Sequence, residues 1–135
     1  MSQLLVALNN KTNVQISFAN TEDSYNNLML NPGEMVQMAK HFNIPDDSNP
    51  SEYFTAHHMS LASVDPNSGD TDVIFSFWDN DDDHYNLYFC PGLNPSNAAF
   101  MPGYYNGGNN ATVGITISGS PGNYSLEAYQ VSTGK

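Results

Sequence analysis

Alternating apolar and polar residues mark the two ends of the chain. Segments 4–8 and 14–18 carry a large apolar side chain at every second position, and an Asn-rich break separates them. This pattern predicts an N-terminal β-hairpin. Segments 113–117 and 124–128 repeat the design around a turn rich in Gly, Ser and Pro. Because successive side chains of a strand point to opposite faces, each of these strands should bury one face.

Further apolar runs predict strands between these ends. Residues 33–39 fit neither the strand period nor the helix period well, and we favour a strand. A strong turn signal at residues 65–70 separates two longer runs that should pair with each other. The remaining strands are predicted within 51–64, over 71–79 and over 84–90, with a loop from there to about residue 110. About eight or nine short, mostly antiparallel strands fit a β-sandwich or a closed barrel.

The composition favours one all-β domain. At 135 residues the chain is long enough to bury a core without disulfides or metals, and we expect a single domain over residues 1–135. Hydrophobic residues make up 39% of the chain, but charged residues make up only 13%, about half the usual share. The polar residues are mostly Asn, Ser and Thr, which favour turns over helix interiors. We therefore expect many loops between the strands.

The net charge restricts the partners. Three Lys and Arg stand against fourteen Asp and Glu, which gives a net charge of −11 at pH 7. Nucleic acids and anionic lipid headgroups are repelled by such a surface, so we expect no nucleic-acid partner. Neutral lipids, glycans and cations remain as candidate ligands, and the sequence leaves the oligomeric state open.

The N-terminus and the cysteine content bear on the cellular compartment. Residues 1–8 have no basic lead and too short an apolar run for a signal peptide or a membrane span. We expect a cytoplasmic protein, or one released without a classical signal peptide. The single cysteine, Cys90, cannot form an internal disulfide and is interpreted as a packed or half-buried thiol.

Aromatic residues flank an acidic segment at residues 75–89. On the strand before it, Phe75 and Phe77 share one face, and Trp78 lies on the other. One interpretation places Trp78 outward or at a sheet edge, beside Tyr88 of the returning strand, as a platform for stacking sugars or contacting headgroups. The other interpretation places Trp78 at the rim of the core, because tryptophan is usually mostly buried.

The acidic segment itself has two interpretations. Asp79, Asp81 and Asp83 have the spacing of oxygen ligands at the start of a calcium loop, so Ca²⁺ is a candidate ligand although no cofactor is required. A solvated loop without metal explains the same residues, since exposed carboxylates repel each other only weakly in water. The turn at residues 65–72, with Asp65, Asp70 and Asp72, is interpreted first as a hairpin connection and second as a calcium loop.

A second aromatic group lies in the loop after residue 100. Tyr104, Tyr105 and Asn106 combine two rings with an amide, which suits a glycan or a neutral lipid headgroup. An exposed loop with one Tyr packed on the core is an equally good interpretation. No motif for nucleophilic, metal-dependent or phosphate-transfer catalysis is present in the sequence, so we expect no enzymatic activity.

Short segments resemble the aegerolysin and actinoporin-like proteins. Residues 6–12 and 14–16 resemble the opening strand, turn and second strand of aegerolysins, and Cys90 and Pro91 stand near a proline found after the corresponding strand of many aegerolysins. Residues 73–77 with 84–88, and residues 104–107, resemble segments of actinoporins. The resemblance implies a compact actinoporin-like β-sandwich, an architecture shared with fungal fruit-body lectins.

The resemblance also implies a function. Aegerolysins bind sphingolipid-rich membranes and permeabilise them together with a larger partner protein. We therefore expect a non-enzymatic, lectin-like or lipid-binding module for a neutral membrane-lipid headgroup or glycan, as one component of a two-part pore-forming toxin. The residues expected to bind the ligand are Trp78, Tyr85, Tyr88, Tyr104, Tyr105 and Asn106. The alternative is a structural or storage β-protein that is stabilised by Ca²⁺ on its acidic loops.

Overall fold

The protein is an all-β sandwich, as the sequence predicts. A computed structural model describes residues 3–21, 25–45, 58–79, 87–104 and 111–132. Over these ranges the chain forms strands, one 3₁₀ helix at Pro95–Asn97 and no α-helix. The strands are β1 (Leu4–Thr12), β2 (Ile16–Asn20), β3 (Tyr25–Leu30), β4 (Met35–Asn43), β5 (Met59–Val64), β6 (Thr71–Asp79), β7 (Leu87–Pro91), β8 (Ala99–Phe100), β9 (Gly103–Tyr104), β10 (Thr112–Ser120) and β11 (Asn123–Ser132).

The strands form two sheets. The five-stranded sheet has the order β4-β1-β10-β11-β9, and the six-stranded sheet has the order β3-β2-β5-β6-β7-β8. Strand β1 is parallel to β10, and β9 is parallel to β11, whereas the other described pairs are antiparallel. A parallel pair needs a long connection, and here β1 and β10 come from opposite ends of the chain. The prediction of mostly antiparallel strands is therefore confirmed.

The inner faces of both sheets meet in one core. From the five-stranded sheet, the alternate residues Val113, Ile115 and Ile117 of β10 are almost completely buried. From the six-stranded sheet, Phe18 and Phe77 are fully buried in the same cluster. The period-two alternation thus identifies the core face of these strands, because one face of each strand packs against the opposite sheet.

The predicted N-terminal hairpin is wrong. The apolar segments do form β1 and β2, but β1 pairs with β10 and β4, while β2 pairs with β3 and β5 in the other sheet. Alternation requires only that each strand bury one face, and two strands of a sandwich can do so face to face as well as side by side. The Asn-rich break is therefore a corner between the sheets.

The side chain of Asn10 holds this corner. Asn10 is 1% exposed, and its amide Nδ2 donates to the carbonyl oxygens of Val14 at 2.8 Å and of Leu30 at 3.1 Å. Its Oδ1 accepts from the backbone N–H of Thr12 at 2.9 Å and from the Thr12 hydroxyl at 2.6 Å. Since Leu30 belongs to β3, these bonds connect β1 of one sheet to a strand of the other. No local sequence pattern indicates this role of Asn10.

Other predicted elements are found where the sequence placed them. The C-terminal hairpin is formed by β10 and β11, and the segment assigned to a strand at 33–39 begins β4. Strands β5 and β6 pair across the turn at residues 65–70. Strand β7 begins at Leu87, and residues 51–57 and 84–86 of the predicted strands lie outside the described residues. The predicted loop after residue 90 also contains the 3₁₀ helix, β8 and β9.

Candidate binding surfaces

Trp78 lies on the face of β6 that sequence alternation indicates, but it is buried. Phe75 and Phe77 point into the core cluster, and Trp78 points to the other face, where it is 0% exposed. The interpretation that Trp78 is solvent-exposed is therefore wrong. Trp78 is buried, as the other interpretation expected, but it does not belong to the core cluster of Phe75 and Phe77. β6 lies between β5 and β7, so Trp78 is two strands away from the edge of its sheet. Alternation gives the face of a side chain, whereas coverage of that face depends on residues far away in the sequence.

An aromatic row crosses three neighbouring strands on this face. Trp78 of β6 is paired with Tyr88 of β7, and Tyr88 is paired with Phe100 of the edge strand β8. The ring centroids of Trp78 and Tyr88 are 5.9 Å apart. Tyr88 and Phe100 are 5.1 Å apart with an interplanar angle of 13°, which is a stacked arrangement. We call Trp78, Tyr88 and Phe100 the aromatic row.

The row changes from buried to exposed towards the sheet edge. Trp78 is fully buried, Tyr88 is half-buried, and Phe100 is 55% exposed. The predicted neighbourhood of Trp78 and Tyr88 is thus confirmed, but Phe100 was missed. Phe100 follows a loop rich in Asn and Pro, and no local pattern indicates that it pairs with Tyr88. Only the strand register reveals the pairing.

Most other residues of the predicted ligand site are not joined to the row by the described structure. Tyr104 lies in β9, where its backbone pairs with Tyr129 of the five-stranded sheet. Tyr85, Tyr105 and Asn106 lie outside the described residues. The described part of the chain therefore brings together Trp78 and Tyr88 and places Tyr104 in the other sheet.

Asp79, a predicted calcium ligand, is the last residue of β6 and is buried. Its side chain is 0% exposed, and Oδ2 accepts the backbone N–H of Gln3 at 2.8 Å. Its own N–H donates to the carbonyl oxygen of Pro45 at 2.7 Å. The expectation that Asp79 belongs to an open acidic loop is therefore wrong. Its carboxylate is buried and accepts a hydrogen bond from Gln3, which links the segment before β1 to the six-stranded sheet. Asp81 and Asp83 lie outside the described residues.

The acidic turn between β5 and β6 is held by its own hydrogen bonds. Asp65 Oδ1 accepts from the backbone N–H of Asn67 at 2.8 Å and of Ser68 at 3.3 Å. Gly69 adopts a φ of 78°, which favours glycine, and its N–H donates to Asp65 O at 2.8 Å. The hairpin interpretation of this turn is confirmed. Among the described residues, no three His, Cys, Asp or Glu side chains are grouped so that they could hold a metal ion.

Cys90 is a packed thiol, as expected. It is fully buried on the same sheet face as Trp78, and its Sγ lies 3.8 Å from the carbonyl oxygen of Gly92. Burial raises the pKa of the Cys90 thiol, and hydrogen bonds from the backbone of Asn94 and Ser76 lower it by less. The thiol is therefore protonated and shielded at neutral pH.

A groove on the outer face of the five-stranded sheet was not predicted. It has a volume of about 540 Å³ and extends from β4 across β1 and β10 to β11. Ala7 lies on its floor, Met35 and Gln37 come from β4, and Tyr129 and Val131 come from β11. These residues are far apart in sequence, and only the order of the strands brings them together. We call this site the outer groove.

A hydrogen-bond network positions Tyr129 at the outer groove. The amide Nδ2 of Asn9 donates to the Tyr129 hydroxyl at 2.8 Å and to Thr116 Oγ1 at 3.2 Å. The tyrosine ring lies over Gly114 so closely that a Cβ at this position would overlap it. Gly114 is thus required by close approach of a side chain and not by a turn.

Comparison of the chain with protein-family models, with curated proteins and with solved structures finds no match. The described residues include no helix that is long and apolar enough to cross a membrane.

Proposed function

We propose that the protein is a non-enzymatic binding module that recognises a neutral glycan or the neutral headgroup of a membrane lipid. The observation that carries this proposal is the aromatic row, which ends in a Phe100 ring that is stacked on Tyr88 and 55% exposed. An apolar ring of this size at a sheet edge offers a flat surface to a sugar or to the carbons of a headgroup.

The arrangement of the row favours binding. One face of Phe100 is packed on Tyr88, which restricts the ring before any ligand arrives, so less side-chain entropy is lost on binding. Tyr88 adds a phenolic hydroxyl that can donate and accept hydrogen bonds. Trp78 packs behind Tyr88 and supports it from the interior of the sheet face.

The charge of the chain favours a neutral ligand. With a net charge of −11, the protein repels anionic lipids and sulfated or acidic sugars at long range. A neutral sugar or a zwitterionic headgroup does not meet this repulsion. Tyr85, Tyr105 and Asn106 remain proposed contributors to the same site, since they also combine rings with hydrogen-bonding groups.

Binding is tested with one variant in the aromatic row and one control variant of equal exposure outside it. Phe100 and Leu93 are both 55% exposed, but only Phe100 belongs to the aromatic row. Wild-type protein, Phe100→Ala and Leu93→Ala are mixed with vesicles of phosphatidylcholine, sphingomyelin or phosphatidylserine, and with immobilised neutral glycans. We expect wild-type protein to bind a neutral surface, Phe100→Ala to bind at least about tenfold more weakly, and Leu93→Ala to bind within about twofold of wild type.

Two results would count against the proposal. If folded wild-type protein binds no vesicle and no glycan, it is not a module of this kind. Equal losses in Phe100→Ala and Leu93→Ala would show that general surface hydrophobicity, and not the row, causes binding.

The proposed role in a two-part toxin has a separate test. If the module only targets a larger pore-forming partner, the protein alone should bind dye-loaded neutral vesicles without releasing the dye. Dye release by the protein alone would contradict a purely targeting role.

A further inference from the structure

The outer groove differs in chemistry from the rest of this acidic protein. All the described residues that line it are uncharged, although the chain as a whole carries −11. A cation would find no carboxylate partner among these residues, and an anion would find no Lys or Arg partner while facing the repulsion of the whole chain. The groove therefore selects for a ligand without net charge.

The walls of the groove are mostly apolar and open to water. Met35 is 61% exposed and Val131 is 54% exposed, and they stand on β4 and β11 at the two sides of the groove. Ala7 of β1, between these strands, adds further hydrocarbon surface, as does Met38 of β4, which also packs against the core. Covering these side chains removes apolar surface from water, so the body of a ligand that fits here is apolar. Methionine side chains adapt to ligands of irregular shape because they are unbranched and flexible.

One hydrogen-bond donor is fixed at the groove. The Tyr129 hydroxyl accepts a hydrogen bond from Asn9 at 2.8 Å, and this bond uses its oxygen and not its own proton. The Tyr129 side chain makes no other hydrogen bond with the described residues, so the hydroxyl proton remains to donate. Asn9 and Gly114 hold the ring in place, and the donor is therefore ordered before a ligand binds.

We propose that the outer groove binds an uncharged amphipathic small molecule, with a hydrocarbon body against Met35 and Val131 and one acceptor that takes the Tyr129 hydroxyl proton. A volume of about 540 Å³ is within the usual range of small-molecule sites. A polyhydroxylated sugar fits less well, because Gln37, Thr112 and Gln130 offer partners to only some of its hydroxyls and the mostly apolar walls would desolvate the others. This site lies on the other sheet from the aromatic row and does not depend on the function proposed for the row.

The first experiment compares two eight-carbon ligands, one with an uncharged hydroxyl and one with an anionic carboxylate. The full-length protein is labelled at its methionine methyl carbons and titrated with 1-octanol and with octanoate at pH 7 by NMR spectroscopy. We expect 1-octanol to shift the methyl signals of Met35 and Met38. The signal of Met29 should stay unchanged, since Met29 is also exposed, at 46%, but lies on β3 of the six-stranded sheet. Octanoate should bind at least about tenfold more weakly because it is anionic.

Variants test the wall and the donor separately. Met35→Lys places a cation in the wall, so 1-octanol should bind more weakly and octanoate more tightly than in wild type. The matched control Met29→Lys adds the same charge on the other sheet and should leave the 1-octanol affinity within about twofold. Tyr129→Phe keeps the ring but removes the donor, and it should weaken 1-octanol binding by about threefold to tenfold.

Three results would overturn the proposal. The first is the absence of Met35 and Met38 shifts up to the solubility limit of 1-octanol. The second is octanoate binding as tightly as 1-octanol, and the third is Met29→Lys weakening binding as much as Met35→Lys. Circular dichroism of each variant identifies any loss of folding, so that a loss of affinity can be assigned to the groove.

Discussion

Replacing Asn10 should disrupt the corner between the two sheets. The expected loss in the free energy of unfolding follows from its hydrogen bonds. The side chain is 1% exposed and makes four hydrogen bonds, two as donor and two as acceptor. At about 1 kcal/mol for each bond, Asn10→Ala should lower the free energy of unfolding by about 4 kcal/mol. This is a large part of the stability of a typical domain, which is about 5 to 15 kcal/mol.

Asn10→Asp removes the two hydrogen bonds that Asn10 donates and keeps the two that it accepts. A carboxylate can still accept hydrogen bonds from Thr12. It would also face the carbonyl oxygens of Val14 and Leu30, which in wild type accept hydrogen bonds from the Asn10 amide. We expect a loss of about 3 to 5 kcal/mol at pH 7, which is typical of an unpaired buried charge. Burial and the two carbonyls should raise the pKa of the new carboxyl in the folded state above its unfolded value of about 3.9.

The sign of the pH dependence follows from this raised pKa. Above the folded pKa the charged form carries the full penalty, and below the unfolded pKa the protonated form can donate one hydrogen bond. Relative to wild type, Asn10→Asp should therefore gain stability as the pH falls from 7 to 4, by at most about 1.4 kcal/mol per pH unit. Asn10→Ala should show no such dependence.

Urea unfolding at several pH values measures these differences. Asn123→Asp is the control, because Asn123 is exposed at the first residue of β11, and we expect a change within about 0.5 kcal/mol. The reasoning would be refuted if Asn10→Asp and Asn10→Ala cost less than about 1 kcal/mol at pH 7, or if the difference between them did not depend on pH.

Three further substitutions or reactions test other parts of the structure. Gln3 is fully buried, but neither the oxygen nor the nitrogen of its carboxamide has a hydrogen-bond partner among the described residues. Gln3→Met should therefore stabilise the protein by about 1 to 2 kcal/mol. A lower melting temperature would contradict this. Gly114→Ala should lower the free energy of unfolding by about 1 to 3 kcal/mol, because the new Cβ displaces the Tyr129 ring. Urea unfolding measures this difference, and an unchanged midpoint would mean that the ring has room to move. Cys90 should react with maleimide at pH 7 at least about ten times more slowly in the folded protein than in urea, because burial shields the thiol and raises its pKa. Equal rates would show that the thiol is accessible in the folded protein.

Local patterns predicted the strands better than their partners. The hairpins β5–β6 and β10–β11 are joined by turns of strong Gly, Pro and Asp signals, and both are confirmed. The first two strands are also present, but their break is a corner held by Asn10 and not a hairpin turn. Five residues rich in Asn are compatible with either path, and the choice depends on β10 and β5, which lie much later in the chain.

The candidate sites were predicted less completely for the same reason. The sequence indicated that Trp78 and Tyr88 could lie side by side, because one short connection joins their strands. It did not indicate Phe100, whose pairing with Tyr88 follows from strand register, or the burial of Asp79 by contact with Gln3. The outer groove combines residues separated by more than 90 positions, such as Met35 and Tyr129, and no local signal marks it.

The sequence alone determined the all-β class, most strand positions, the core face of the regular strands and the acidity that favours neutral ligands. These properties depend on composition and on period-two alternation, which are local or additive along the chain. Tertiary structure decided which strands became neighbours, which outer faces were covered and where exposed rings and grooves were formed. Such features arise when distant segments compete for the same hydrogen bonds and apolar surface, so Trp78 became interior while Phe100 and Met35 remained exposed.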